Sequence, residues 1–380
     1  MIPAMKAIRA RTVVMTPEKV LDDGFIIFED GRIKDVGPWR ELSRSWSGPV
    51  EDLGEVTICA GVFNMHAHLE LSHLHGQTVS GQGFTQWVKS LIALPMQDVE
   101  AKALDVAVAQ LTDSGTAWVL DITSRNPAAV GNALERAGVG YGLGVEFFGF
   151  QTADDLVWPE STKELSEDQW RHVSAAGHAL YSTHPETLRA AKAWCTANGR
   201  VFPMHLAEHT GETELLADGG GEFADLLRVR VLPDDFIAPG CGPVEYADRL
   251  GLLDEGTLAV HCVQVSEADI QRLAERGASV CLCPRSNQFI GVGRAPWKAM
   301  QDAGLNLCLG TDSLSSNHDL NVWNEAAYIL EESGGELDFS EVLRWLTVNP
   351  ARFLGLENTH GTLESGKVAG YSIVPDGIGR

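Results

Sequence analysis

The stretch Ile58-Cys-Ala-Gly-Val-Phe-Asn-Met-His66-Ala-His68 sets an apolar run against two histidines one residue apart. In an extended backbone, residues i and i+2 point to the same face, so both imidazoles can converge on one cation. Taken alone, H-x-H arises by chance in many chains and also fits an ordinary polar strand end. Three further positions change its weight. His205 follows the apolar run Val201-Phe-Pro-Met, His261 ends Leu258-Ala-Val, and Asp312 ends Leu307-Cys-Leu-Gly-Thr. Each falls at the C-terminal end of an expected strand, the rim where β/α barrels gather their catalytic groups.

Outward from this stretch, apolar strand-like runs alternate with helical patterns, the grammar of βα units and a parallel sheet. Eight strands are expected, over 58–65, 116–122, 140–148, 175–181, 201–206, 257–263, 279–284 and 305–311. Helices are expected between them, among others over 98–114, 185–198, 266–276 and 295–303, and two more follow over 320–333 and 340–354. Eight such units predict an α/β fold, a closed (β/α)8 TIM-type barrel rather than an open sheet. Ahead of it, 13–15, 24–28 and 32–36 are β-rich runs split by Asp22-Asp-Gly24 and Glu29-Asp-Gly31. Residues 361–374 return to strand character. The expected organisation is a barrel over 58–356 and a small β-sandwich domain assembled from 1–57 and 357–380.

Hydrophobic residues make up 44% and charged residues 21% of the 380, an ordinary globular balance. Asp and Glu outnumber Lys and Arg by 52 to 29, a formal charge of −23. Such a surface repels phosphate backbones and anionic lipids, which argues against nucleic acid or a membrane as partner. The seven cysteines are scattered with no C-x-x-C pair, as reduced thiols in a cytosolic protein would be. No run approaches the roughly 20 apolar residues of a membrane span, and no signal-peptide stretch is seen. The expected location is the cytoplasm and the expected partner a small-molecule substrate, with a homodimer as an open option.

H-x-H, His, His and Thr-Asp-Ser at the ends of strands 1, 5, 6 and 8 together resemble the amidohydrolase superfamily, over nearly the whole chain. His205-Leu-Ala-Glu208, Cys283-Pro-Arg-Ser-Asn287 and Gly310-Thr-Asp-Ser313 are similar to its deaminase and chlorohydrolase branch. The resemblance implies one divalent metal, zinc before iron, with His66, His68, His205 and Asp312 as ligands and His261 against the activated water. The lysine that bridges two metals after strand 4 in binuclear members is missing from Ala176-Gly-His-Ala-Leu-Tyr-Ser182, which implies a single ion. Glu208, three residues past His205, matches a glutamate that shuttles protons in the resembling deaminases. The physics agrees, because a metal lowers the pKa of its water to about 7 and a nearby carboxylate can take and return the proton. The plainer alternative is a solvated acid at a helix N-terminus, favoured there by the dipole.

Five more residues are candidates for substrate contact. His178 ends strand 4, in a phrase similar to one that touches ribose or ring substituents in nucleoside-type deaminases. Arg285 and Asn287 lie just past strand 7, where an arginine could bind a carboxylate or a sugar hydroxyl. Trp87, in Phe84-Thr-Gln-Trp, could stack on a flat ring, although a tryptophan in that setting packs a core as often. Glu146 ends strand 3 as a supporting acid.

Three motif matches are set aside. His205-Leu-Ala-Glu-His209 fits H-x-x-E-H, but that zinc motif needs a helix, which Pro203 and the strand-like run oppose. His68-Leu-Glu70 lacks the P-C-x-x-C partner of cytidine-type deaminases. Gly361 to Lys367 fits a phosphate loop but has Val368 where Ser or Thr must hold magnesium. The implied activity is hydrolytic removal of an amino group from a heterocycle. Leu69-Glu-Leu-Ser after H-x-H and the Arg285 phrase look most like aminodeoxyfutalosine deaminases, which serve an alternative menaquinone route. S-adenosylhomocysteine, methylthioadenosine and guanine deaminases are close alternatives, followed by hydrolysis of a ring amide or halide. A non-catalytic ligand-binding descendant is more remote, because drift would have removed a ligand first.

Overall fold

The computed structural model describes residues 5–96, 99–151 and 155–378. The chain forms two compact units, Met1–Asn64 with Leu111–Trp118 and Asn321–Arg380, and Met65–Gln110 with Val119–Leu320.

The first unit carries a six-stranded sheet. Strands β1 (Lys6–Thr16), β2 (Lys19–Glu29) and β3 (Arg32–Pro38) form an antiparallel meander. β4 (Val50–Asp52) and β5 (Thr57–Ala60) run parallel to β1. The meander strands extend well past the expected runs because their charged residues sit on the outer face and pair across strands. Arg9 reaches Asp23 at 2.7 Å and Asp52 at 3.0 Å. Ala10, Val13, Ile26, Ile33, Ile58 and Leu363 fill the buried side. Of the tail expected as strand over 361–374, only β14 (Tyr371–Ile373) is one, antiparallel to β5. Gly361 and Gly366, at φ of +89° and +90°, turn the segment before it.

Two further expectations are corrected here. The first expected strand is in fact two. β5 belongs to the six-stranded sheet, β6 (Val62–Ala67) opens the barrel, and Gly61 separates them. A Cβ on Gly61 would lie 2.6 Å from that of Ala117, so only glycine allows the close approach. The helix expected over 340–354 is broken into Phe339–Leu346 and Val348–Phe353, with Thr347 at φ −132° between them. Pro350 explains the break, since it has no N–H to donate and its ring crowds the carbonyl four residues earlier.

The second unit holds the barrel, which β6 and β7 (Thr116–Thr123) enter at Met65 and Val119. β6, β7, β8 (Gly140–Glu146) and β9 (Val173–Ala176) neighbour one another in chain order. So do β10 (Phe202–Leu206), β11 (Thr257–His261), β12 (Ser279–Leu282) and β13 (Asn306–Leu309), all in parallel register. Hydrogen bonds at two seams close the ring. Gly177 N–H donates to Pro203 O at 2.9 Å and His205 N–H to His178 O at 2.7 Å, while Asp312 N–H donates to His66 O at 2.9 Å. The strands are buried on both faces, which is why they read as unbroken apolar runs rather than alternating ones.

Helices follow the strands at conventional signals, such as the Ser266–Asp269 capping box before Glu267–Arg276 and Pro185 opening Pro185–Ala197. The helix expected over 98–114 is Ala101–Asp113, and Asp98 lies outside the described residues. The fourth barrel strand, expected over 175–181, is Val173–Ala176, and past it Gly177 and His178 keep hydrogen bonds to β10. Among the described residues, no helix is long and apolar enough to cross a membrane.

Within the first unit, Ser114 O accepts from Trp323 Nε1 at 3.1 Å and from Ser372 Oγ at 2.7 Å, tying three segments together. Gly115, beside this knot, has φ +70°, and a Cβ there would meet Ser372 Cα at 2.8 Å. Gly115→Ala should therefore destabilise the protein by about 2 kcal/mol or more, read as a lowered midpoint in urea or thermal denaturation. An unchanged midpoint would show that the knot can relax.

Candidate active site

Strand ends supply every member of the site. β6 delivers His66, with His68 just beyond it, β10 delivers His205, β11 ends on His261, and Asp312 lies three residues past β13. His66 Nε2 and His68 Nε2 are 3.2 Å apart, and each is 3.5 Å from Asp312 Oδ1. One nitrogen each of His66, His205 and His261 also lie within 4.8 Å of one another. His205 stacks on His68 with ring centroids at 5.5 Å, and His66 stands edge-on to both.

These separations fit a metal cage. Ligand bonds of about 2.1 Å in a tetrahedron place neighbouring donors about 3.4 Å apart. The side chains are also set for coordination. His205 Nδ1 lies 3.2 Å from His178 O and His261 Nδ1 3.0 Å from Asn287 Oδ1, so both rings donate at Nδ1 and keep the Nε2 lone pair. Asp312 accepts from Ser286 Oγ at 2.7 Å, Ser316 Oγ at 2.8 Å and Ser313 N–H at 2.8 Å. Burial, helped by neighbouring His66, depresses His68 to about 3. Burial likewise pushes His261 down to about 4 and His205 well below its usual range. Burial opposes ionisation of Asp312, yet the hydrogen bond and charge of His66, with His68 and His261, hold it well below the carboxylate range. Neutral His68, His205 and His261 beside an ionised Asp312 are protonation states that suit a divalent cation.

Backbone strain accompanies the cluster. His178, Ala207, His261, Cys262 and Asp312 have φ between +31° and +74°, five of the seven such non-glycine residues described. Left-handed backbone costs about 1–2 kcal/mol per residue, and three of these five, His178, His261 and Asp312, line the cavity described next.

A cavity of about 240 Å³ opens beside the cluster, lined by His68, His178, His205, Glu208, His261 and Asp312, with aromatic and aliphatic side chains farther out. Glu208 Oε1 is 3.7 Å from His261 Nε2, and Glu208 N–H donates to Glu212 Oε2 at 3.1 Å. Burial, with Asp312 and Glu212 nearby, raises the Glu208 carboxyl well above its usual range. His178 lines the cavity, bonded to Ser182 Oγ, with Phe148 packed on its ring. Glu146 lines it too, 3.8 Å from His205 Nδ1, its carboxyl raised by burial and by Glu70. Trp87 both walls the cavity and packs in an apolar cluster, its indole N–H donating to Ser315 O at 2.9 Å.

Arg285 and Asn287, expected as substrate contacts, do not line the cavity. They sit on the helix Pro284–Ile290, which begins directly after β12 and carries its side chains around a cylinder rather than along a rim. Arg285 forms a two-pronged pair with Asp319 at 2.9 and 2.8 Å, and Asn287 stands behind His261. Sequence reasoning also missed what Glu70 does. It is 2% exposed and accepts from Arg125 N–H and Asn126 N–H, both at 2.9 Å, and from Ser124 N–H at 3.2 Å. With Asp121, which accepts from Leu69 N–H at 2.7 Å, it pins the loop that leaves His68. The one available signal was an acid inside the apolar run Leu69-Glu-Leu.

Residues 57–376 match the model of the amidohydrolase family. A 5-methylthioadenosine/S-adenosylhomocysteine deaminase of Nitratidesulfovibrio vulgaris is 32% identical, covering 80% of this chain and 67% of its own. An aminodeoxyfutalosine deaminase of Deinococcus radiodurans is 28% identical, covering 76% and 71%. The crystal structure of a zinc-bound adenosine deaminase from Xanthomonas campestris superposes with a TM-score of 0.79 at 26% identity, over 96% of this chain and 83% of that one. The chain belongs to the amidohydrolase family: it is a metal-dependent hydrolase of non-peptide carbon–nitrogen bonds built on a β/α barrel.

The cage depends on a glycine. A Cβ on Gly310 would lie 2.7 Å from both the N and the Cβ of His66 and 2.8 Å from Cys281 Sγ. Gly310→Ala should weaken metal binding about 10- to 100-fold, the usual effect of disturbing a ligand's support, and Asp312→Ala should weaken it further. Elemental analysis of protein dialysed against a metal buffer would read both. Full metal content in both variants would exclude this cluster as the metal centre.

Proposed function

We propose that this member of the family is a hydrolytic deaminase of adenine-type nucleosides, with one zinc ion held by His66, His68, His205 and Asp312. The observation that carries the reading is the placement of Glu208 3.7 Å from His261 beside those four side chains in one cavity. Three imidazoles and a carboxylate favour zinc over harder cations, and the zinc in the Xanthomonas relative supports the same choice. A cation in this cage supplies Lewis acidity, which brings the ionisation of water toward neutral pH.

The chain's own residues do the rest. Glu208, kept protonated by burial, can hand a proton to the ring nitrogen next to the carbon that bears the amine. His261, with its Nδ1 hydrogen committed to Asn287, offers Nε2 to accept the proton of the attacking water. Asp312, its Oδ1 3.5 Å from both His66 Nε2 and His68 Nε2, can share that proton. Glu208, once ionised, collects it and returns it to the departing amine; as ammonia leaves and the carbonyl forms, the remaining hydroxyl proton of the added water passes to Glu208 and restores its protonated state. His178, Trp87 and Glu146 line the substrate side of the cavity.

The two curated relatives favour adenine nucleosides with substituents in place of the 5′-hydroxyl, and the methylthioadenosine/S-adenosylhomocysteine enzyme is the more similar of the two. That ordering puts aminodeoxyfutalosine beside those substrates rather than ahead of them. The reading places the enzyme in the cytoplasm with small-molecule substrates.

Zinc-loaded protein should release ammonia and convert the adenine chromophore to hypoxanthine with at least one nucleoside of this class. Ammonia from none of them would refute the reading. Glu208→Gln should lower kcat by about 100- to 10,000-fold while metal content stays constant. Wild-type turnover in that variant would remove Glu208 from the proton path.

A further inference from the structure

We infer that Glu212 is a positioning residue: its buried carboxyl holds the peptide between Ala207 and Glu208, and through it aims the Glu208 side chain at His261. This rests on the reading of Glu208 as the proton carrier of a nucleoside deaminase.

The short connection from β10 to the helix Thr210–Asp218 has to bring two side chains, His205 and Glu208, into one cavity. Ala207 makes the turn between them at φ +51°, a left-handed conformation that a residue with a Cβ keeps only where its surroundings enforce it. Two hydrogen bonds do so, one on each edge of the next peptide. Ala207 O accepts from Gln264 N–H at 2.7 Å, and Glu208 N–H donates to Glu212 Oε2 at 3.1 Å. Gln264 lies just past the end of β11, so the first bond ties the peptide to the strand that delivers His261. The second fixes the opposite edge. Glu208 leaves this clamped peptide with its Oε1 3.7 Å from His261 Nε2.

A glutamate in the first turn of a helix has a plainer use. It favours the helix dipole, and in a capping box its side chain reaches back to the N–H of the N-cap residue. Here the N-cap residue is His209, whose Nδ1 accepts from Glu212 N–H at 3.2 Å, as such a box requires. The return bond, however, runs one residue further, to Glu208. Glu212 is also fully buried, and its Oε1 has no hydrogen-bond partner among the described residues. A buried carboxyl with an idle oxygen costs stability that an exposed glutamate in the same turn would not. A cap alone does not call for it.

Burial raises the Glu212 carboxyl to about 8, against the pull of the Glu208 and Ala207 N–H groups. Either protonation state leaves an oxygen that can accept, so the clamp needs an acceptor rather than a charge. Glu212 is not among the residues that line the cavity, and it acts on the reaction through the backbone it holds.

The zinc-loaded enzyme tests this with methylthioadenosine, S-adenosylhomocysteine and aminodeoxyfutalosine, following ammonia release from the fastest of the three. Glu212→Met fills similar space without an acceptor. It should lower kcat about 100-fold, the effect of misplacing a catalytic group by about 1 Å, with KM and zinc content close to wild type. Glu212→Gln keeps an oxygen for Glu208 N–H and should recover most of the lost rate. Adding Glu212→Met to Glu208→Gln should slow the enzyme no further, because nothing is left to aim. If Glu212→Met does not fold, Glu212→Asp, one methylene short of Glu208 N–H, carries the same expectations. A lowered thermal midpoint with wild-type kcat per bound zinc would reduce Glu212 to a helix cap and overturn the inference. A rate loss that adds in full to that of Glu208→Gln would overturn it as well. Both results leave the deaminase reading intact, whereas a wild type that deaminates none of the three nucleosides overturns that reading and this inference together.

Discussion

Buried lone pairs that face one another are the constraint on which this structure turns. His66 and His68 hold ring nitrogens 3.2 Å apart beside a carboxylate oxygen, in a place where burial keeps His68 uncharged. Imidazole nitrogens and a carboxylate gathered this closely out of water are a donor set that a divalent cation would hold together. The barrel supplies the rigidity. The same hydrogen bond that closes the ring, Asp312 N–H to His66 O at 2.9 Å, also fixes two of the donors relative to each other. Closing the sheet and assembling the cage are one event.

Much of this was legible in the amino-acid string, and the reason is geometric. Parallel strands buried on both faces leave continuous apolar runs, and the polar residue that ends each run marks the rim. His205, His261 and Asp312 were found in that way. What stayed hidden depends on direction rather than spacing. Arg285 and Asn287 follow a strand closely enough to suggest the rim, but a helix starting at Pro284 turns them toward Asp319 and His261. Glu70 looked like a fragment of an unrelated motif, because its partners are backbone N–H groups at 124–126 that no residue type announces. The split of the first expected strand at Gly61 was hidden for a similar reason, since the neighbour that demands glycine is Ala117, far along the chain.

Chemistry and selectivity are carried by different parts of the barrel. The groups proposed to move protons and to hold the metal stand on or next to strands held in register by the sheet. The apolar wall of the cavity comes from Phe84–Leu91 and Glu222–Arg228, which lie in the connections after β6 and β10. Substitutions on those helices can change which substrate fits without moving a ligand. A barrel that retains its reaction can in this way adopt new substrates.

The left-handed residues at the strand ends bear on how such an enzyme could be improved. Glycine would relieve the torsional load at His178, Ala207 or Cys262, so a selection for heat resistance alone would be expected to drift toward it. The relaxed loops would then lose their aim, and the hardened protein would turn over more slowly. Engineering for endurance should begin elsewhere, in the meander or on the outer helices, where stiffness and catalysis do not compete.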